Sequence, residues 1–322
     1  MSFMRMLWIF LFILINYINA QESDAYEVRE HSLVRPYPSV FSTSNSYWHL
    51  YGHSIATDQY IRLTLDAQSK FGGLWNMIPI AFPDWEIHVH YRVHGEGSTY
   101  FGDGFVIWYA RDPKLEGPVF GYTDHFYGLA IVMDTYANGH EHQGHVYPYI
   151  SAIVNNGTLH YDHDRDGTNL NIAGCESSFR GRTTDTLVAI RYHNNRLTVS
   201  TDIDGKNTWT ECFSIDDIHL PTHYHLGFTA ATGQLSDNHD IISVHTYQLD
   251  TSEQRRTEDR KNILPAAPSA KPGDATLEIS QSSTWSALKI FFFVILFILI
   301  CVGSIGLFVY IRYYRQRTVR FY

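Results

Sequence analysis

Two short stretches carry side chains that could hold a hard cation. In "IVMDTYANGH", Ile131 to His140, an apolar run passes into Asp134, Tyr136 and Asn138 at two-residue intervals. In "YDHDRDG", Tyr161 to Gly167, Asp162, Asp164 and Asp166 repeat that interval before a glycine. Calcium takes about six to eight oxygens from carboxylates, amides, backbone carbonyls and water. The second stretch alone resembles the start of an EF-hand loop. Its twelfth position, however, is Ala173 where a bidentate Glu is needed, and no helical pattern flanks it. Joined, the stretches do better. Asp134 offers a carboxylate, Tyr136 a backbone carbonyl, Asn138 an amide oxygen and Asp166 a second carboxylate, with water completing the shell. Spacing alone still favours ordinary turn residues, because Asp and Asn are common in turns.

Other chemistry is less well supported. His140, His142 and His145 in "HEHQGHVY" could ligate zinc, but a hydrophilic loop explains them too. His88 and His90 alternate on one strand and read as polar-face residues. A glycosidase needs two carboxylates about 5–10 Å apart. Glu86, Glu96 and Glu116 show no strand spacing that would pair them, so an enzyme is not expected.

The elements that must position these residues are strands. "DWEIHVHYRVHG" alternates Ile87, Val89, Tyr91 and Val93 with Glu86, His88, His90 and Arg92, as a half-buried strand requires. "DGFVIWYA", "FYGLAIVMD", "VYPYISAIV", "DTLVAIRYH", "RLTVSTDI" and "YHLGFTAAT" are further strands, separated by Gly, Asn and Asp turns. Many short strands over residues 21–250 predict an antiparallel β-sandwich. From 251 to 288 the composition turns polar and Pro-punctuated, which reads as a stalk with one short polar helix within Ser252–Leu264.

The ends point to a membrane. Residues 1–20 carry Arg5, an apolar run from Leu7 to Ile15 and Ala20, the pattern of a secretory signal peptide. Residues 289–311 include the uncharged run Ile290–Ile311, long enough to span a bilayer as a helix. The tail, 312–322, holds Arg312, Arg315, Arg317 and Arg320 and no acid, which places it in the cytosol of a type I protein. Of 24 basic residues the leader takes one and the tail four, leaving 19 against 33 acidic residues elsewhere. So acidic a remainder argues against nucleic acid as a partner. Cys301 lies in the span, and the luminal pair Cys175 and Cys212 is expected to form a disulfide in an oxidising compartment.

"DTYAN" followed by "DHDRDG", with "HGEGSTYFGDGFVIWYARD" and "GQLSDNHDIIS", resembles the L-type lectins of the early secretory pathway, nearest the vesicular integral-membrane subgroup. The resemblance runs from Arg29 to Leu249 and includes the span and the terminal "RFY". It implies a legume-lectin-like jelly roll in which Ca2+ organises a mannose-binding loop set. By position it makes Asp134, Tyr136, Asn138 and Asp166 the calcium ligands, and Asp103 the acid that accepts sugar hydroxyls. Ser69, Asn138 and His163 match further sugar contacts, and Gly233, Gln234 and Leu235 a backbone loop at the sugar. Asp134 and Tyr136 join the carbohydrate set through the loop they shape. Cys175–Cys212 matches the family disulfide and Asn156, in the sequon "NGT", an N-glycosylation site. Relatives carry an acid or Gly where this chain has Gln234, so discrimination among glycan arms rests on a neutral amide here.

The resemblance implies high-mannose N-glycans of secretory glycoproteins as partners, and a sorting role between endoplasmic reticulum and Golgi. Phe321 and Tyr322 resemble a coat-binding export signal, and Arg315 and Arg317 in "YRQR" an arginine-based retrieval signal. The arginines also satisfy simple topology. The stalk shows no heptads, so a monomer is expected. A scaffold with a dead sugar site is the other class to test. Protonation of His163 beside the metal site in acidic compartments is expected to release calcium and sugar together.

Overall fold

The computed structural model describes residues 25–37, 41, 46–138, 145–268, 303, 306 and 310. The chain divides into two compact units, Met1–Ala270 and Lys271–Tyr322. In the second unit the described residues Gly303, Gly306 and Tyr310 are helical. Among the described residues no helix is long and apolar enough to cross a membrane. The expected signal peptide, most of the expected span and the whole tail, with Arg315, Arg317, Phe321 and Tyr322, lie outside them.

The period-two pattern of "WEIHVHYRVH" becomes β6 (Trp85–His94). Ile87, Val89, Tyr91 and Val93 are buried, and Arg92 points to solvent. β6 lies within an antiparallel sheet of eight strands. The order is β13 (Thr210–Ile215), β12 (Arg196–Asp202), β11 (Thr186–His193), β6, β15 (Asn238–Gln248), β4 (Ile61–Thr64) and β3 (Ile55–Ala56), with β1 (Tyr26–Glu27) on β15. A seven-stranded sheet runs β10 (Ala173–Glu176), β9 (Tyr149–Asn156), β8 (Tyr127–Asp134), β7 (Gly104–Ala110), β14 (His225–Ala231), β5 (Phe71–Asn76) and β2 (Trp48–Gly52). The fold is an all-β sandwich of two sheets, as the strand pattern predicts, and a jelly roll, as the resemblance implies.

The inner faces share one core, with Val89, Ile190 and Val244 against Ile107, Leu129, Ile131 and Phe228. A second apolar cluster covers the outer face of the seven-stranded sheet. There Val106, Trp108, Ala130, Val132 and Ile153 pack beneath Phe120, Tyr122, Phe126, Tyr161 and Leu170 from the loops. With both faces covered, every residue of β7 is buried, which is why "DGFVIWYA" reads as a continuous apolar run. Trp108 Nε1 donates to Thr229 Oγ1 at 2.8 Å, so the indole N–H is satisfied within that layer.

Cys175 on β10 and Cys212 on β13 form the expected disulfide, with Cα atoms 5.5 Å apart. It ties the edge of one sheet to the edge of the other. Closing a loop of 37 residues stabilises the fold by about 4 kcal/mol in the chain-entropy view.

One boundary differs from the sequence reading. The chain stays packed on the sandwich well past 250, where the composition predicts the start of a stalk. The capping residue Ser252 accepts from Arg255 N at 3.4 Å through its hydroxyl and opens the single-turn helix α1 (Glu253–Thr257). The buried Arg255 Nε reaches both oxygens of Asp84 at 2.8 Å. Arg260 donates to the Tyr192 hydroxyl at 3.0 Å and the Leu220 carbonyl at 3.2 Å, and Ala266 bridges to His219. The segment is polar in composition because its anchors are guanidinium groups, and composition does not reveal their distant partners.

Candidate functional site

Strand parity explains the first ligand. Leu129, Ile131 and Met133 face the shared core, so Ala130 and Val132 face the outer cluster, and Asp134 follows them onto that side. The segment that covers this face is the one that carries Asp166. Tyr161 and Leu170 anchor it in the outer cluster, and the 3-10 turn His163–Arg165 delivers Asp166 in a left-handed conformation, φ 51°. Asp and Asn tolerate that region better than most residues.

Asp134 and Asp166 are 4% and 6% exposed. The Asp134 carboxyl is pushed well above the usual carboxylate range, chiefly by burial and then by the charge of Asp166. Asp134 Oδ1 accepts from Tyr136 N at 3.0 Å, which bends the chain as it leaves β8. Asp166 accepts from Asn138 N at 3.1 and 3.2 Å, from Asn138 Nδ2 at 2.7 Å and from the Tyr147 hydroxyl at 2.9 Å. The Tyr161 hydroxyl is buried without a partner, and its titration is raised by burial and then by Asp134 and Asp166. Two buried carboxylates close enough for one charge to raise the other, with the Asn138 carboxamide held on Asp166, form an oxygen-rich set. Such a set fits Ca2+, whose charge would offset the repulsion. Asp162 and Asp164 stand away from it, half-buried and exposed, which agrees with rejecting an EF-hand.

The expected sugar residues gather next to this pair. Thr135 donates twice to the Asp103 carbonyl, from its N–H and its hydroxyl, both at 2.9 Å. Asp103 is therefore fixed to the residue after Asp134. The Gly102–Asp103 peptide bond is cis. Gly104 must be glycine: its φ is 145°, and a Cβ would lie 2.4 Å from the Met133 carbonyl. Burial raises the Asp103 carboxyl, and nearby His163 pulls it back down. Gly233 lies over this carboxylate, where a Cβ would come 3.3 Å from Oδ2. Ser69, at φ 55°, donates its N–H to the Gly233 carbonyl at 3.1 Å. Gln234 is exposed, and its carbonyl accepts from Gln68 Nε2 at 2.8 Å. Leu235 borders Gly102, as Tyr136 does. His163 packs edge-on to Phe120 at 5.6 Å, with Nδ1 buried and unpartnered. A shallow cleft of about 380 Å³ adjoins this loop, lined by Asp66, Gln68, Glu96, Tyr100, Gln234 and Leu235 among others.

Sequence reasoning missed Tyr147, Thr135 and Gln68. Nothing local marks them, because each acts on a residue brought near only by the fold. Asn156 ends β9 at the other end of the strand pair, opposite Tyr127, and its Oδ1 accepts from the Thr158 hydroxyl at 2.6 Å. Of the three histidines weighed for zinc, His140 and His142 lie outside the described residues, and His145 stacks on Tyr149 at 4.3 Å.

Residues 24–256 match the model of the legume-like lectin family. The chain is 41% identical over 309 residues to the VIP36-like protein of Homo sapiens, covering 95% of this chain and 88% of that one. It is 48% identical over 259 residues to the vesicular integral-membrane protein VIP36 of Canis lupus familiaris, covering 79% and 72%. Among solved structures, the VIP36 exoplasmic/lumenal domain in its Ca2+/Man3GlcNAc-bound form superposes with a TM-score of 0.71 at 46% identity. That match covers 76% of this chain and 100% of the other.

Proposed function

The chain belongs to the legume-like lectin family, and from that membership we propose that it is a calcium-dependent, non-enzymatic lectin for mannose-bearing glycans. The observation that carries this reading is the convergence of Asp103, Asp134, Asn138, Asp166 and the Ser69 and Gly233–Leu235 loops at one end of the seven-stranded sheet. The similar VIP36 domain has been solved with Ca2+ and mannose together.

A pyranose is neutral and presents vicinal hydroxyls that donate and accept. Asp103 accepts two of them, and charge-assisted bonds of this kind are about twice as strong as neutral ones. Among the described residues, burial and the nearby His163 act on its carboxyl, and no hydrogen bond does. The Asn138 carboxamide can give its oxygen to a cation and an N–H to a hydroxyl. Bound calcium would supply the charge that lets Asp134 and Asp166 stay ionised side by side. Asp166 then holds Asn138 in place before sugar arrives, so less ordering entropy is lost on binding. A site this shallow binds weakly, and affinity comes from multivalent glycans.

The finer reading is traffic. We propose that the protein is a single-pass type I monomer that cycles between endoplasmic reticulum, intermediate compartment and Golgi. Glycoprotein cargo would be held in the lumen, and coat components would bind through Phe321, Tyr322, Arg315 and Arg317. Retention on immobilised high-mannose glycopeptides tests the core of the proposal. The wild-type chain should be retained in calcium and released by chelator, and Asp103→Asn should lose at least about tenfold in affinity. Retention of Asp103→Asn equal to wild type would overturn the site, and release of reducing ends would overturn the lectin reading.

A further inference from the structure

Away from the calcium-type site, a second group of ligating side chains converges where the strand pair β8–β9 begins. Asp124 and His125 lie in the turn entering β8, and His160 lies in the loop leaving β9. Their ligand atoms all fall within 4.8 Å of one another. His160 Nδ1 is in hydrogen-bond contact with Asp124 Oδ2, and His125 Nε2 stands 3.6 Å from that same oxygen. The two imidazole rings lie 5.8 Å apart at 32°. Ligands on one tetrahedral zinc ion, with bonds of about 2.0–2.2 Å, sit about 3.3–3.6 Å apart. The cluster therefore needs only small side-chain rotations to close on an ion.

The carboxylate is already aimed. Asp124 Oδ1 accepts from His125 N at 2.8 Å and Tyr161 N at 2.9 Å, which leaves Oδ2 turned toward both imidazoles. Orientation of a ligand through its second atom is the usual support of a metal site. His125 holds a left-handed backbone, φ 51°, an uncommon conformation that puts its ring beside Asp124. The sequence pattern points to zinc only at His140, His142 and His145 and marks none of these three residues.

We propose that Asp124, His125 and His160 form a site for a divalent transition metal of the zinc class, with a fourth position open to water. Two nitrogens and one oxygen suit such an ion, whereas the Asp134–Asp166 set, all oxygen, suits calcium. Tyr127 pairs with Asn156 at this end of β8–β9, and Asp134 with Tyr149 at the other. The two sites are thus separated by about 20 Å of strand. An ion here would clasp the loop after Asn156 to the turn before β8, at the start of the segment that runs through Tyr161 to Asp166.

The test is zinc binding to the full-length chain in detergent at saturating calcium, by equilibrium dialysis and by the visible spectrum of the cobalt-substituted protein. His125→Asn and His160→Gln are the variants, Asn being chosen because it accepts a positive φ. Each should lose one zinc equivalent or bind it at least about tenfold more weakly, with the cobalt bands gone. Calcium-dependent retention on mannose glycopeptides should be unchanged, which also shows that the variants are folded. Zinc stoichiometry and cobalt bands equal to wild type in both variants would overturn the proposal.

Discussion

Asp134 carries the sharpest consequences of the calcium reading. Its carboxyl is raised by burial and by Asp166, so the folded chain without calcium holds that proton more tightly than the unfolded chain does. The contribution of this group to stability is therefore present below the ordinary carboxylate value and is lost as pH rises through the raised one. At neutral pH the calcium-free domain thus carries a penalty that calcium removes. Asp134→Asn keeps the acceptor for Tyr136 N and deletes the charge. Its calcium-free melting temperature should rise by about 2–4 °C at neutral pH, and the further rise on adding calcium should vanish. A melt series with calcium and chelator checks both, and wild type should lose its calcium response as pH falls. Gly233 gives a separate prediction. Gly233→Ala places a methyl against the Asp103 carboxylate, so glycan affinity should drop about tenfold or more while the calcium-induced rise in melting temperature stays.

At the scale of elements, legibility tracks locality. The alternation in β6 and the apolar runs of β7 and β8 are plain in sequence, because each strand writes its own burial. Parity even puts Asp134 on the side of the outer cluster. By contrast, the loop delivering Asp166 is held by Tyr161 and Leu170, whose partners lie on other strands, and Thr135 serves Asp103 from across a strand pair. The segment after 250 is misread for the same reason, since its anchors are Arg255 to Asp84 and Arg260 to Tyr192. Asp84 is fully buried, so Arg255→Ala would leave an unpaired interior charge and should cost about 3–5 kcal/mol. Arg256, half exposed beside Asp250, should cost about 1 kcal/mol or less when replaced by Ala. Denaturant unfolding of the two variants makes the comparison. Near-equal losses would show that α1 is not pinned through Asp84.

For the whole molecule, the sandwich acts as a rigid frame that brings chain segments far apart in sequence to one end of a sheet: 66–70, 102–104, 134–138, 163–166 and 233–235. The disulfide closes one edge, and the outer cluster stiffens the loops that would otherwise have to order on binding. The sequence pattern of leader, apolar span and basic tail would hold this frame at a membrane and let many weak sites act together. If the tail pair directs export, Phe321→Ala with Tyr322→Ala should shift the protein toward the endoplasmic reticulum in imaging. An unchanged distribution would remove that part of the proposal. The central claim is that one cation couples Asp134 to Asp166 and thereby creates the glycan site. Calorimetric titration of a mannose oligosaccharide into the full-length chain tests it most directly, with calcium, with chelator, and in Asp134→Asn. Heat of binding is predicted only for wild type in calcium, and equal binding in chelator or in the variant would contradict the coupling.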